Sequence, residues 1–181
     1  MPSQIKGTAI QIYLDWLRAK VPPEQVEAIL ARLPGPTRAD VLEQLLPSNQ
    51  YPYVTYAELL EASHSVLGSD YEQLAFDHGR YAAEVLLAGV YRQTIKTGNI
   101  ERTLQSLARG WKLYFDTGQI LIIEQRSGRY VFAIIDARYH PLHPPISAGY
   151  VQRACERAGA AAVTVEIHGS PPRVEMVIHW S

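Results

Sequence analysis

The chain has 181 residues, 47% hydrophobic and 19% charged, the composition of a globular protein that can bury a core as one domain or as two joined subdomains. Its 17 basic residues are balanced by 18 acidic ones for a formal net charge of -1, so it carries no overall footprint of a nucleic-acid or anionic-membrane binder. A single cysteine, Cys155, excludes an intrachain disulfide and a cysteine zinc cluster; no run approaches the ~20 apolar residues of a membrane span, and Met1 to Lys6 lack the apolar core of a secretory leader, which leads us to expect a cytoplasmic protein.

In chain order, Thr8 to Lys20 carries Ile12, Tyr13, Trp16 and Leu17 at helical spacing, with Thr8 available as a cap. Pro22 and Pro23 stop it. Proline is tolerated in a first turn because its missing donor is unused there, so Pro23 opens a second helix through Leu33 with Val26, Ile29 and Leu30 facing inward. A short helix, Thr37 to Leu46, follows the Pro34-Gly35-Pro36 break. Pro47 to Pro52 reads as a turn-rich linker, and Thr55 with Glu58 forms a capping box for a helix ending at Leu67-Gly68. The longest helical segment is Asp70 to Lys96, capped by Ser69, roughly 40 Å at ~1.5 Å per residue. Leu74, His78, Tyr81, Ala82, Val85, Leu86, Gly89 and Val90 form its apolar stripe, and Ala82, Ala83, Ala88 and Gly89 let a helix or a ligand approach closely. His78 on this stripe is either a core histidine bonded to a backbone carbonyl or a pocket residue. Gly98-Asn99 ends the segment, and Ile100 to Tyr114 gives one more helix with Leu104, Leu107, Ala108 and Trp111 inward.

Strand signals are confined to the remainder. Gln119 to Glu124 and Arg129 to Asp136 are apolar on both faces, so both faces should be covered, one by a helix from Ile146 to Ala158 and the other by the helical half or a second subunit. Ala162 to His168 and Arg173 to Trp180 alternate, with Val163, Val165 and Ile167 facing the core beside Val174, Met176, Ile178 and Trp180. A Gly169 to Pro172 loop would set Glu166 against Glu175, whereas a Gly169-Ser170 turn pairs Glu166 with Arg173 and is preferred; Glu166, Glu175 and His168 gathering a divalent ion is the sharper alternative. The expected fold is α+β: a helical subdomain, 1–115, packed on an antiparallel sheet of ββαββ order, 116–181, in one domain.

No catalytic motif is strong enough to identify a reaction. There is no Gly-x-Ser-x-Gly elbow and no phosphate loop, and Cys155 has no base recognisably beside it and reads as a small buried hydrophobe. His140 and His143, three apart in the proline-stiffened stretch Tyr139 to Pro145, are the candidate metal ligands, with a third to come from Cys155, His78 or His179.

Several stretches resemble a known superfamily: Lys6-Gly7, the helix from Tyr56-Ala57-Glu58-Leu59-Leu60 to Leu67-Gly68, Phe76-Asp77-His78-Gly79-Arg80-Tyr81, Gly149-Tyr150, Ala158-Gly159-Ala160 and the closing Trp180. The chain is similar over nearly its whole length to the superfamily joining haem-nitric-oxide-binding domains to vinyl-reductase-type domains, which includes small-molecule sensors and subunits of Golgi transport tethers. Within it, the chain resembles an uncharacterised myxobacterial family of about this length. The resemblance implies a non-enzymatic ligand-binding sensor, a homodimer, and a pocket between helices and sheet. The helix that holds the iron-ligating histidine in the superfamily's haem sensors corresponds to Ile100 to Tyr114, which has no histidine. The Tyr-x-Ser-x-Arg signature that grips haem propionates is replaced by Asp136-Ala137-Arg138-Tyr139-His140, and the cysteines of vinyl-reductase-type domains are absent. Usual haem ligation is therefore not expected, and the cofactor is left unassigned. The expected ligand is an apolar small molecule, with Trp16, His78, Tyr81, Trp111, Tyr114 and Phe132 lining its pocket. A scaffold whose pocket is filled by its own side chains is the alternative, and a metal site or enzyme built on His140 and His143 is the third reading.

Overall fold

The structure, a computed structural model, describes residues 3–43, 45–89, 91–136 and 140–181. Val90 of the apolar stripe, Ala137, Arg138 and Tyr139 of the histidine loop, and the side chain of the expected cap Ser69 lie outside the described residues. The helical half runs β1 (Gln4–Lys6), α1 (Gly7–Lys20), α2 (Pro23–Ala31), α3 (Gly35–Leu42), β2 (Gln50–Pro52), α4 (Tyr53–Leu67), α5 (Tyr71–Ala88) and α6 (Ile100–Gly110). The sheet half follows with β3 (Gln119–Arg126), β4 (Arg129–Ile135), α7 (His143–Arg157), β5 (Val163–Ser170) and β6 (Arg173–Trp180), all four strands antiparallel in the order β3-β4-β6-β5.

Several helix ends differ from expectation for identifiable reasons. Thr8 does not cap α1; its hydroxyl donates to the Pro47 carbonyl at 2.7 Å. α4 begins at Tyr53, before the expected Thr55 cap, because β1 and β2 form a short antiparallel ladder and the Tyr53 N–H donates to the Ser3 carbonyl at 2.7 Å. Thr55 is buried inside the helix and donates to Asp40, while Glu58 accepts from Thr37. α5 stops at Ala88, well short of Lys96, where Gly89 leaves helical geometry, and a single 3-10 turn, Arg92–Thr94, follows. Asn99 caps α6 by accepting from the Arg102 N–H at 2.9 Å, and α6 tightens at Gly110 into a 3-10 turn, Trp111–Leu113.

In the sheet, Tyr130, Phe132 and Ile134 of β4 stand opposite Ile178, Met176 and Val174 of β6, and all six are buried. The helical half does not cover β3, where Leu121, Ile122 and Ile123 are 39%, 48% and 51% exposed in the single chain, which leaves the second subunit of the expectation as their cover. β3 is an edge strand paired only with β4, and its apolar run imitates a central strand. The β5–β6 register is neither of the two weighed. The turn is Pro171-Pro172, with a cis bond between them, so Ser170 meets Arg173, His168 meets Glu175 and Glu166 meets Val177. Glu175 then ion-pairs with Arg173, and a Glu166 carboxylate oxygen lies 3.4 Å from His168 Nε2; among the described residues the three do not form a metal-holding group.

The halves are joined where α5 crosses α7. A Cβ on Gly79 would overlap the Ile146 carbonyl oxygen, and one on Gly149 would overlap that of Phe76. Two glycines facing each other's helix backbone thus allow an approach no side chain would permit. Ion pairs stitch the same crossing: Arg80 donates to both Glu156 carboxylate oxygens at 2.8 and 2.9 Å and also to Gln152, and Arg153 and Arg157 both pair with Glu84.

Candidate functional site

Beside that crossing lies a cavity of about 180 Å³. Its walls come from both halves: Ile12 of α1, Ala82 and Leu86 of α5 and Leu107 of α6 on one side, Ile134 of β4 and Tyr150 of α7 on the other. Of the six residues expected to line a pocket, the structure places His78, Trp111, Tyr114 and Phe132 in this wall. Trp16 and Tyr81 instead line a second, charged depression with Asp77, Arg80, Glu84 and Arg153. Tyr81 differs by helix face, pointing ~100° from its neighbour Ala82, whereas Trp16 shares a face of α1 with Ile12 and lies one turn further along it.

His78 is 2% exposed, its ring edge-on to Tyr13 at 4.7 Å and tilted against Trp16 at 5.3 Å. The carbonyl bond considered for it is not made at Nδ1, which is buried and has no hydrogen-bond partner. Burial, and then the neighbouring His143, push its imidazole down to about 3, so it is neutral at physiological pH.

His143 is also buried and also lines the cavity. It is the first residue of α7 and not part of an extended loop, because Pro144 and Pro145 sit in the first turn, where their missing donors are unused. Its ring stands edge-on to Phe115 at 4.8 Å, Phe115 stacks on Trp111 at 4.4 Å, and its Nδ1 is 3.4 Å from the Tyr53 hydroxyl. Burial first, then His140, push it down to about 3 as well.

His140 has other partners. Its N–H donates to the Tyr53 hydroxyl at 2.9 Å, its Nδ1 accepts from the Leu142 N–H at 3.2 Å, and its Nε2 lies 3.0 Å from a Glu61 carboxylate oxygen. Among the described residues no three His, Cys, Asp or Glu side chains gather in a metal-holding arrangement. Cys155 is fully buried, its thiol pushed up to about 12 by burial and then by Glu156.

Sequence reasoning missed Tyr56, Tyr91, Phe115, Ile134 and Tyr150 as lining residues. Tyr91 escaped because α5 was expected to run past it; Tyr91, Tyr114 and Tyr150 instead cluster at one side of the cavity, all half-buried.

No family model matches the chain, and no curated protein matches it. Solved structures do. An Fe(II) unliganded H-NOX protein from K. algicida superposes with a TM-score of 0.80 at 13% identity, covering 98% of this chain and 97% of that one. The chain has an H-NOX-like fold. An H-NOX protein from S. oneidensis in the Fe(II)NO ligation state gives a TM-score of 0.73 at 10% identity, over 98% of this chain and 99% of that one. A third structure, of a protein whose heme redox potential is modulated through protein-induced porphyrin distortion, gives 0.68 at 11% identity, over 97% and 99%.

Whether this H-NOX-like chain suits a haem can be judged from its own residues. The cavity of about 180 Å³ is below the ~300 Å³ at which cofactor pockets begin. Among the described lining residues there is no Lys or Arg to pair with a propionate, and α6 contributes Ser106, Leu107, Ala108 and Gly110 but no histidine. The imidazoles that do reach the cavity come from α5 and the start of α7. This lining does not fit a haem clamped by its propionates and ligated from α6.

Proposed function

We propose that the chain is a non-enzymatic sensor or regulatory domain that binds an apolar small molecule between helices and sheet, without haem held in the usual way. One observation carries this: a single apolar cavity is walled by α1, α5 and α6 from one half and by β4 and α7 from the other. A guest there touches both halves, so its affinity depends on how they are arranged, and by linkage its presence biases that arrangement. Homodimer formation belongs to the same proposal, as the means by which occupancy is reported, and sedimentation of the purified protein tests it. The H-NOX-like fold supports a sensing role by analogy. Among the described residues no helix is long and apolar enough to cross a membrane.

The test is native mass spectrometry with an absorption spectrum of the purified protein. The expected result is a bound organic mass smaller than a porphyrin, no Soret band, and loss of that mass in Ala82→Phe, which fills the cavity. A stoichiometric haem with a Soret band overturns the haem-free part. A protein that carries nothing, gains no thermal stability from apolar ligands and is indifferent to Ala82→Phe is a scaffold filled by its own side chains. Stoichiometric metal lost in His143→Ala would point to the histidines instead.

A further inference from the structure

We propose that the cavity is built for an uncharged aromatic molecule of one or two fused rings bearing one O–H or N–H group, anchored by a hydrogen bond to the imidazole of His78. This rests on the ligand-binding reading above and narrows it to a chemical class.

Size sets the first limit. A cavity of about 180 Å³ is close to the ~150 Å³ apolar cavity that accepts benzene, which leaves room for a phenol or an indole and not for a polycyclic. Charge sets the second. Among the described lining residues there is no Asp, Glu, Lys or Arg, so a carboxylate or ammonium would surrender its hydration and find no counter-charge. The walls set the third: Tyr56, Trp111, Phe115 and Phe132 present rings, which favour a flat guest in stacked or edge-to-face contact.

The anchor follows from His78. It lines the cavity, is 2% exposed, and its Nδ1 has no hydrogen-bond partner. Buried polar atoms are nearly always paired, and an unpaired one is a cost that a guest can relieve. An imidazole is set by a two-fold torsion, so a half-turn exchanges Nδ1 with a ring carbon, and a neutral ring holds one donor and one acceptor nitrogen. A phenol O–H or indole N–H can meet the acceptor, and the surrounding Tyr13 and Trp16 rings offer it no competing bond at Nδ1.

Calorimetric titration of the full chain with phenol, indole, toluene and benzoate tests this. Phenol and indole are expected to bind about tenfold or more tightly than toluene, the ratio a buried hydrogen bond supplies, with no measurable benzoate binding. In His78→Phe the preference for phenol over toluene collapses towards one, while toluene still binds; should that variant fail to fold, the same ratio is read in His78→Leu, which also has no hydrogen-bonding group. Equal binding of toluene and phenol, or an undiminished preference in the variant, overturns the hydrogen-bond anchor and leaves the ligand-binding reading intact. Failure of all four probes, with a different organic mass carried by the purified protein, overturns the aromatic class alone. Failure of all four with no carried mass and a silent Ala82→Phe removes both.

Discussion

The contact between α5 and α7 changes character within a single helical step. At Gly79 the two backbones touch, because the absent Cβ leaves space only for the Ile146 carbonyl, and Gly149 repeats the arrangement from the other side. His78, the residue before, and Ala82, almost one turn later, face open volume. Both regions use small residues on one helix, but the crossing spends that smallness on backbone contact and the cavity leaves it unfilled. A guest would therefore act beside a fixed pivot, and movement of the halves would have to be rotation about the crossing rather than separation at it.

The strongest way to break this contrast is to put a side chain into the crossing. Gly79→Val is expected to cost on the order of 4 kcal/mol, above the ~1–3 kcal/mol of ordinary overpacking, because the obstacle is a carbonyl in a helix and not a flexible side chain. Urea denaturation checks it, and a variant as stable as the parent would mean the helices can separate. Ala82→Phe, one turn away, should cost far less if the cavity is real.

Acid sharpens the comparison next, because the cavity holds two buried imidazoles while the crossing holds carboxylates. His78 and His143 are lowered from 6.5 to about 3, so between those values the unfolded chain takes up protons that the folded chain refuses. Stability is therefore complete above pH 6.5 and falls as pH drops, by up to roughly 1.4 kcal/mol per pH unit for each ring. Between pH 6.5 and 5 the loss should approach about 3 kcal/mol, and His78→Phe should halve the slope. Glu156, lowered by its bonds from Arg80 and Arg153, and Glu84, lowered by Arg153 and Arg157 against its desolvation, add a loss only below about 4.5, as protonation removes those pairs. Denaturation midpoints across this range separate the two contributions, and a flat profile above pH 5 would mean the rings are hydrated.

What the sequence revealed follows the same division. Periodic segments were readable: α1 through Tyr13, Trp16 and Leu17, and β6 from Arg173 to Trp180, match their expected stretches closely because burial imposes a period on them. The ladder of β1 and β2 was not, since three residues cannot show a period. Edge position is likewise invisible in composition, so Leu121 to Ile123 could not be told from a strand covered within its own chain. Of the site, His78 was legible as a polar residue on an apolar stripe, but Tyr56 of α4, Tyr91 of the turn after α5 and Tyr150 of α7 are far apart in sequence and only packing brings them to one cavity. The crossing did leave a signal: Gly79 and Gly149 sit inside helices, where glycine is unfavourable by ~1 kcal/mol and its presence points to a close approach.

Weakening the stitches around the crossing should matter less than blocking it. Arg80→Ala removes the paired bonds to Glu156 and the bond to Gln152, groups that remain partly exposed, so the expected loss is about 1 kcal/mol. It should shrink in high salt, as an exposed pair's contribution does, whereas the cost of Gly79→Val should not. A loss from Arg80→Ala as large as that of the glycine variant would make the ion pairs, rather than the backbone contact, the pivot.

The smallest effect is expected on the outer edge of the sheet, among the exposed residues of β3. Ile134 and Ile123 belong to neighbouring strands, yet the first is 1% exposed and lines the cavity, while the second is 51% exposed. In a monomer, Ile123→Thr should change unfolding by no more than about 0.5 kcal/mol, against roughly 2–5 kcal/mol for Ile134→Ala. An uncovered apolar edge strand is a place where a second chain can pair, so the measurement belongs at two protein concentrations. If Ile123→Thr costs more than this only at the higher concentration, where any dimer is populated, the strand is covered by another copy in solution; if the cost is negligible at both, the apolar run on β3 stabilises nothing and homodimer contacts lie elsewhere on the surface.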